Sequence, residues 1–338
     1  MIQAAIAQLL DRRDLARGEA RAVMDEIMRG EATPAQIGGF LVALRAKGET
    51  VAEIAGCAEA LRDHVLPVHP TRTDLVDTAG TGGDGTGTLN ISTAAGLVAA
   101  AAGAAVAKHG NRAVSSASGS ADVIEALGFR LEIPPGRIAA SIDRYGFGFM
   151  FAPVHHPAMK HAAPVRRELG TRTVFNLVGP LTNPAGARAQ VMGVYSPEVA
   201  RTVAEVLALL GATRAFVVHG AGGVGELSPA GPNLVYEVSG EDVRERTVDP
   251  ADLGIERCQP AELRGGDSAE NAEAIRRVLA GEKGARRDAI LLNAAATMAA
   301  AGLADDLPDG LELAREAVDS GVAAERLEQL IAFSQEDA

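Results

Sequence analysis

A glycine-rich stretch between a predicted strand and a predicted helix constrains the fold of this chain most strongly. The segment GTGGDGTGTLNIST at 80–93 follows an apolar run at 75–78 and leads into helical periodicity at 92–102. The cationic segment KHGNR at 108–112 comes after a second apolar run at 104–108. This order indicates a strand–loop–helix–strand unit that brings both polar segments to the same end of a sheet. Freed backbone N–H groups and hydroxyls on one side, with cations on the other, are typical of a pocket for a phosphate-rich ligand.

After Asp74, short strand-like apolar runs alternate with helical patterns, which predicts an α/β fold with a mainly parallel sheet flanked by helices. Further strands are predicted at 148–151, 190–195, 215–219 and 234–238. Helical patterns are predicted at 121–128, 134–145, 157–169, 197–210 (with Ser196 as cap), 268–280, 286–300 and 308–334.

The N-terminal segment has a different, entirely helical pattern. Capping boxes begin at Thr33 and Thr50, and Pro67 and Pro70 end the pattern. We therefore expect a small all-helical domain over 1–69, joined by a helical segment near 160–185, and an α/β domain over 70–338.

Composition excludes several classes of protein. The 338 residues are 47% hydrophobic and carry a formal net charge of −12, which argues against nucleic acid or an anionic membrane as a partner. Cys57 and Cys258 lie outside any metal-ligand spacing, as expected for inert thiols in a reducing cytosol. The longest apolar run, 96–107, is too short to span a bilayer. We expect a cytoplasmic protein.

The glycine-rich loop resembles two nucleotide-binding motifs without fitting either. Residues 80–85 match G-x-G-x-x-G, but the next helix opens only near Ser92, and the second strand ends in Lys108 where a dinucleotide enzyme has an acid. No Gly-Lys-Ser/Thr follows, so a P-loop is excluded. A longer anion nest remains, to which Thr88, Asn90, Ser92 and Thr93 add polar groups at a helix start. Ser92 could equally be a metal ligand or an N-cap, and a tight turn is the alternative for the whole loop.

Further cationic and histidine residues follow. The alternative for 108–112 is a solvated loop. In FAPVHHPAMK at 151–160, an extended segment would direct His155 and His156 to opposite sides, one towards substrate and the other towards solvent or a helix cap. A carboxylate could be clamped by an arginine, for which the candidates are Arg166, Arg167 and Arg172. A solvated helix face is the alternative for each.

Taken together, the motifs resemble those of the anthranilate phosphoribosyltransferase family. They are GTGGDG…T-x-NIST, KHGNR, GSAD-x-x-EALG, FAP-x-x-HPAMK and VR-x-ELG-x-RT-x-FNL-x-GPL-x-NP, in this order. The resemblance implies the fold shared with class II nucleoside phosphorylases and a homodimer formed through the small domains. It also implies a reaction of tryptophan biosynthesis, in which the amino group of anthranilate displaces pyrophosphate from phosphoribosyl pyrophosphate with the help of Mg²⁺.

The same resemblance implies roles for individual residues, with Lys108 and Arg166 the most important for catalysis. Phosphoribosyl pyrophosphate would be held by Gly80, Gly83, Asp84, Thr88, Asn90, Ile91, Ser92, Thr93, Lys108, Arg112, Ser115, Ser116 and Ser120. Anthranilate would be held by Gly80, His109, Asn111, His156, Arg166 and Pro180, with Arg166 on the carboxylate.

The resemblance also implies one or two Mg²⁺ ions, bound by Ser92 and Glu226. Gly225 stands where the family has an aspartate, and one carboxylate fewer should weaken the second ion's site. A smaller departure is Ala117, where many relatives have lysine.

Two other functions remain open at this point. A class II pyrimidine nucleoside phosphorylase would use the same fold, although KHGNR and HPAMK do not fit its pattern. A non-catalytic relative that binds nucleic acid would need a basic groove, which the charge of −12 argues against.

Overall fold

A computed structural model describes residues 1–113 and 117–336. The strands are β1 (Leu75–Gly80), β2 (Ala105–Gly110), β3 (Phe147–Phe151), β4 (Ala189–Gly193), β5 (Arg214–His219), β6 (Asn233–Ser239) and β7 (Asp242–Val248). The helices are α1 (Ile2–Leu10), α2 (Arg17–Met28), α3 (Pro34–Lys47), α4 (Val51–Asp63), α5 (Ile91–Ala101), α6 (Ser120–Ala126), α7 (Pro135–Tyr145), α8 (Ala152–His155), α9 (Ala163–Leu169), α10 (Phe175–Val178), α11 (Pro197–Leu209), α12 (Ser268–Leu279), α13 (Ala285–Ala300), α14 (Leu307–Asp319) and α15 (Val322–Gln335). Short 3₁₀ turns lie at Pro157–His161, Gly179–Leu181, Pro250–Leu253 and Pro260–Leu263.

The first four helices form a small bundle that a later segment completes. Both predicted capping boxes are present: Thr33 Oγ1 accepts from Gln36 N, and Thr50 Oγ1 accepts from Glu53 N. Buried side chains of the bundle share one apolar cluster with Val165 of α9. The chain therefore returns to the bundle after β3, in the region where a joining segment was predicted.

The sheet has the order β3-β2-β1-β4-β5-β6-β7. Its first five strands are parallel, and β6 pairs antiparallel with both β5 and β7, so the predicted mainly parallel sheet is confirmed. From β1 the chain first adds strands on one side, up to β3, and then on the other side with β4. The switch point of this topology therefore lies between β1 and β4, at whose carboxyl ends such sheets bind their ligands.

Three sequence predictions need correction. Strand β7 was not predicted, because DVRERTV is largely exposed and lacks the apolar alternation that marks a strand. The predicted helix 308–334 is two helices, α14 and α15, interrupted at Gly321, whose φ is +84°. Ser196 is the N-cap of α11 as predicted, with Pro197 first, although its hydroxyl donates to Glu198 and makes no side-chain cap bond. Strand β2 continues to Gly110, past the predicted end at residue 108.

Helix α13 and the helices around it cover one face of the sheet with small side chains. Ala294, Ala295 and Leu292 of α13 are fully buried in the same cluster as Leu97 and Val98 of α5. Among the described residues, no helix combines the length and apolarity needed to cross a membrane. Cys57 is a free, fully buried thiol whose pKa is raised by burial, as an inert thiol requires.

Candidate active site

The glycine-rich loop leaves β1 at the switch point and is fixed to the neighbouring strand β4. Thr81 N donates to the Gly193 carbonyl at 2.9 Å, and Thr81 Oγ1 accepts from Tyr195 N at 3.1 Å. Gly82 and Gly83 have φ of +64° and +71°, in the left-handed region where a side chain would be strained. The loop therefore exposes backbone N–H groups in a conformation that only glycine adopts easily.

Helix α5 begins at the end of this loop. Asn90 is its N-cap, so the sequence alternative in which Ser92 caps the helix is wrong. The Asn90 side chain bonds Ser118 and accepts from Asn271 Nδ2 at 2.9 Å, while Thr88 pairs with Arg264 in an isolated bridge. Ile91 N donates to the Leu89 carbonyl at 2.6 Å. The next N–H groups of α5 receive no side-chain cap from the described residues, which leaves them for a ligand.

The residues predicted along the first turn of α5 differ in accessibility. Ser92 is half-buried and lines a small cavity with Thr78 and Glu226. Ile91 and Thr93 are buried, and the Thr93 hydroxyl has no hydrogen-bond partner among the described residues. A ligand outside the helix could reach Ser92 directly, whereas Thr93 offers it only its backbone N–H and Ile91 N is bonded to the Leu89 carbonyl.

Lys108 projects from β2 behind the loop instead of into solvent. Only 2% of the residue is exposed, and Nζ donates to the Thr78 carbonyl and, at 3.2 Å, to Thr78 Oγ1. Burial lowers the pKa of Lys108 to about 8, against the opposing charges of Asp77 and Glu226. Burial likewise raises the pKa of Asp77 to about 6. The predicted phosphate cation is therefore a buried lysine at the base of the loop.

The loop after β5 brings Glu226 towards this cluster. Gly225 N donates to Asp84 Oδ2 at 3.0 Å. Burial, reinforced by the charge of Asp84, raises the pKa of Glu226 to about 8, while Lys108 opposes the shift. The nearby Asp84 and the burial together disfavour ionisation of Glu226.

This arrangement suits a hard divalent cation. Ser92 and Glu226 line one cavity, and Asp84 lies beside the adjoining Gly225, so the donors are hydroxyl and carboxylate oxygens. The described residues contain no cluster of three or more His, Cys, Asp or Glu side chains that could hold a metal alone. Mg²⁺, which prefers oxygen donors and completes its shell with water and substrate phosphate, fits such a partial set.

The rest of the KHGNR segment is less enclosed. Arg112 is exposed and pairs with Asp122 and Glu125 at 3.0 and 2.8 Å, and hydrogen bonds to these two carboxylates raise its pKa. Asn111 N donates to Ser120 Oγ at 3.2 Å at the start of α6. Ser115 and Ser116, also predicted to bind phosphate, lie outside the described residues.

His109 and His156 face each other across the carboxyl end of the sheet. Their Nε2 atoms are 3.1 Å apart and their ring centroids 4.9 Å apart. Burial lowers the pKa of His156 to about 4 and that of His109 well below its ordinary value. His155 ends the helical turn α8, is buried, and bonds the Leu66 carbonyl at 2.8 Å. The expected extended segment is therefore wrong, since the chain is helical at His155, and His155 meets the Leu66 carbonyl where solvent or a helix cap was expected. Only His156 reaches His109.

The depressed pKa values predict that acid destabilises the protein through this pair. His156 has a pKa of about 4 when folded, against the ordinary 6.5. Between these values the unfolded chain binds more protons, so the free energy of unfolding should fall as pH drops from 6.5 towards 4. Urea unfolding across this range should show a smaller fall for His156→Gln than for the wild type or for the exposed-site control His69→Gln. Equal pH dependence in all three proteins would contradict a neutral, buried His156.

Arg166 is a half-buried cation without a counter-charge. Its guanidinium lies 5.0 Å from the centroid of Phe175, and burial lowers its pKa. No carboxylate among the described residues pairs with it. Pro180, also predicted on the anthranilate side, lies in the 3₁₀ turn and its carbonyl accepts from Gln190 Nε2 at 2.8 Å. An uncompensated guanidinium beside an aromatic ring is suited to an aromatic carboxylate.

The sequence did not reveal that two further residues, Arg172 and Asn183, support the site. Arg172 donates to the Gly83 carbonyl, and its guanidinium carbon lies 3.8 Å from the centroid of Tyr195, so it supports the glycine loop. Asn183 donates to Asp77 Oδ2 and to the Ala107 carbonyl, both at 2.8 Å. Both residues fall within motifs quoted above, but the supporting role depends on contacts that spacing does not reveal.

Comparison with known proteins extends this local picture to the whole chain. Residues 72–324 match the glycosyl transferase family, a/b domain, and residues 3–65 match the glycosyl transferase family, helical bundle domain. An anthranilate phosphoribosyltransferase of Anaeromyxobacter sp. (strain Fw109-5) is 54% identical over 99% of both chains. One of Chloroflexus aggregans is 53% identical over 100% of this chain and 99% of its own.

Solved structures show the same relationship. The anthranilate phosphoribosyltransferase of Thermus thermophilus superposes with a TM-score of 0.93 at 50% identity, covering 98% of this chain and 99% of that one. The Saccharomyces cerevisiae enzyme in complex with PRPP and Mg has a TM-score of 0.90 at 28% identity, covering 98% and 97%. With such likeness along its full length, the chain belongs to the anthranilate phosphoribosyltransferase family.

Proposed function

We propose that this protein transfers the phosphoribosyl group of phosphoribosyl pyrophosphate to the amino group of anthranilate, releasing pyrophosphate. One juxtaposition carries the proposal: a backbone nest suited to phosphate at the switch point, and two neutral imidazoles, His109 and His156, at the carboxyl end of the same sheet. The half-buried Arg166, which pairs with no carboxylate among the described residues, is suited to the carboxylate of an aromatic acid. The 54% identity to a relative named for this activity supports it.

The reaction needs alignment and charge neutralisation more than proton abstraction at its start. The nitrogen lone pair of anthranilate attacks C1 of the ribose, the bond from C1 to the pyrophosphate oxygen breaks, and the nitrogen then loses a proton. An aromatic amine is already unprotonated at neutral pH, so no strong base is required beforehand. The residues of this chain would hold the two reactants in line, and the N–H groups of the loop and α5 would neutralise the departing pyrophosphate.

Mg²⁺ would supply further charge neutralisation on the pyrophosphate. A relative was solved with PRPP and Mg, which supports magnesium use here. We infer one ion near Ser92 and a second, weaker site at Glu226, with Asp84 as the nearby second carboxylate.

Mg²⁺ titrations should separate the contributions of positions 225 and 226. A Cβ at Gly225 would lie 3.2 Å from Asp84 Oδ2, so Gly225→Asp adds a carboxylate beside Asp84 and should lower the free Mg²⁺ needed for half-maximal rate. Glu226→Gln should raise it, because a charged ligand is lost. Ala221→Asp, which adds a charge elsewhere in the loop, is the control. Superimposable curves for all proteins would mean that neither position serves the metal.

Lys108 and Arg112 should both act on the phosphate side, but unequally. Lys108→Met leaves Asp77 and Glu226 without their buried cation, so the KM for phosphoribosyl pyrophosphate should rise by about tenfold or more. Arg112→Gln should have a smaller effect on the same KM, since Arg112 is exposed and already paired. Steady-state kinetics with each substrate varied would test this, and the KM for anthranilate should hardly change. Wild-type kinetics in both variants would mean that the segment is structural.

The activity itself can be tested directly. Incubation with anthranilate, phosphoribosyl pyrophosphate and Mg²⁺ should consume the fluorescence of anthranilate, and omission of phosphoribosyl pyrophosphate should abolish the change. A parallel assay with a pyrimidine nucleoside and inorganic phosphate tests the runner-up, a class II nucleoside phosphorylase. Phosphorolysis without loss of anthranilate would overturn the proposal.

We also infer a homodimer formed through the helical domain over 1–69. Leu10 of α1 and Val42 of α3 are exposed, and Met1, which precedes α1, is 72% exposed. Apolar side chains on one small domain suit a second copy of the same surface. Light scattering would distinguish a dimer from the 34.7 kDa monomer.

A further inference from the structure

A second cavity lies near the amino ends of β4 and β5, whereas the glycine-rich loop lies at the carboxyl end of β1. Its volume is about 190 Å³, and it opens between the end of α4, the segment before β4 and the segment before β5. Gly193 and Gly80, which border the glycine loop, are at the carboxyl ends of their strands, whereas Arg188 and Ala212 in this cavity precede strands. The cavity is therefore separate from the site described above.

Two arginines in this cavity have unused donors. Arg62 Nε donates to the Leu181 carbonyl at 2.8 Å, and Arg188 Nε donates to the Gly211 carbonyl at 2.9 Å. The terminal amino groups of both guanidiniums have no hydrogen-bond or ion-pair partner among the residues that the structure describes. Many other arginines of this acidic chain pair with carboxylates, as Arg17 does with Glu59. Two guanidiniums with free bidentate edges in one cavity are suited to an oxyanion.

Arg62 and Arg188 are both exposed, whereas Arg166 is half-buried. Desolvation nevertheless lowers the pKa of Arg62, as it does that of Arg166, and the charge of Glu59 opposes the shift at Arg62. A bound anion would stabilise both cations. The proposed function uses Arg166 for a carboxylate, and it leaves Arg62 without a role beyond its bond to Leu181.

The other residues that line the cavity indicate that the ligand has apolar surface in addition to its negative charge. Val65, Leu207 and Leu210 contribute apolar surface. The amide donors of Asn183 and Gln190 also line the cavity, but they are bonded to Asp77 and to the Pro180 carbonyl. A fully hydrated inorganic ion would leave the apolar walls uncovered, whereas a small organic acid would cover them.

We propose that this cavity is a second binding site for a small organic carboxylate, held by Arg62 and Arg188. It backs onto the anthranilate side of the active site, because Arg62 and Gln190 hold the carbonyls of Leu181 and Pro180. The site stands on this geometry and does not depend on which reaction the enzyme catalyses.

The probe for the test is 4-fluorobenzoate, followed by ¹⁹F NMR without Mg²⁺ or substrates. The Arg166→Gln variant is used as the background, so that an aromatic carboxylate cannot bind through Arg166. We expect saturable binding of one equivalent per chain. Adding Arg188→Gln or Arg62→Gln should raise Kd by about tenfold, since each removes a charged bidentate donor.

Arg144→Gln in the same background is the matched control, because Arg144 is an exposed arginine outside the cavity, and it should leave Kd unchanged. Thermal unfolding verifies that each variant is folded, and if Arg62→Gln does not fold, Arg188→Gln alone decides. Absence of saturable binding, or a Kd that the Arg188 substitution changes no more than the control does, would overturn the proposal.

Discussion

Gly193→Ala should reduce kcat/KM by about 100-fold or more, through a displacement of the loop that carries Glu226. A Cβ at residue 193 would lie 1.7 Å from the Gly225 carbonyl oxygen, a distance that no packing tolerates. Relief requires the 220–226 loop or the end of β4 to move, and the glycine loop is bonded to that same end through Thr81. Steady-state kinetics with phosphoribosyl pyrophosphate varied would measure the loss.

Gly18→Ala is the matched control for this substitution. Residue 18 lies in α2 with nothing within 4 Å of its added Cβ, so the alanine should leave activity unchanged and stabilise the helix slightly. A fully active Gly193→Ala enzyme would show that β4 and the 220–226 loop can separate without cost, and would contradict the close approach described here.

Arg166→Ala should raise the KM for anthranilate by about 10- to 150-fold and leave the KM for phosphoribosyl pyrophosphate nearly unchanged. Loss of a charged hydrogen-bond partner typically costs about 1.5–3 kcal/mol, which corresponds to this range. Arg166 pairs with no carboxylate of the described chain, so its removal leaves no orphaned protein charge and the effect should fall on the substrate. The exposed neighbour Arg167 provides the control substitution, Arg167→Ala. Equal effects on both substrates would refute the assignment of Arg166 to the anthranilate carboxylate.

The fold was largely accessible from sequence because its determinants are local. Capping at Thr33 and Thr50 and the alternation of apolar runs with helical periodicity each depend on residues a few positions apart. The two errors in the predicted elements, the missed β7 and the undivided helix 308–334, also arise because sequence patterns report only local determinants. Strand β7 is held by pairing with β6 and not by an apolar pattern of its own, and the break at Gly321 falls within a continuous helical periodicity.

For the site, sequence predicted which segments meet but not how their side chains are used. Parallel strands bring the loop after β1 and the end of β2 together, as expected. Whether Lys108 points to solvent or into the core depends on its register in β2, which the spacing left undetermined. The contacts of His156 with His109 and of Arg172 with Gly83 join residues 47 and 89 positions apart, and only the tertiary structure reveals such pairs.

The hydrogen bond between Gly225 N and Asp84 makes these two positions interdependent. Because Asp84 already occupies the space that a side chain at 225 would enter, the effect of an aspartate at 225 depends on the residue at 84. Substitutions at the two positions are therefore non-additive, and the loop after β1 constrains which residues the loop after β5 can accept. In evolutionary terms, this is epistasis between two positions that are 141 residues apart in sequence. A carboxylate at position 225 is tolerated best when the residue at position 84 is neutral, or when a bound cation lies between the two carboxylates.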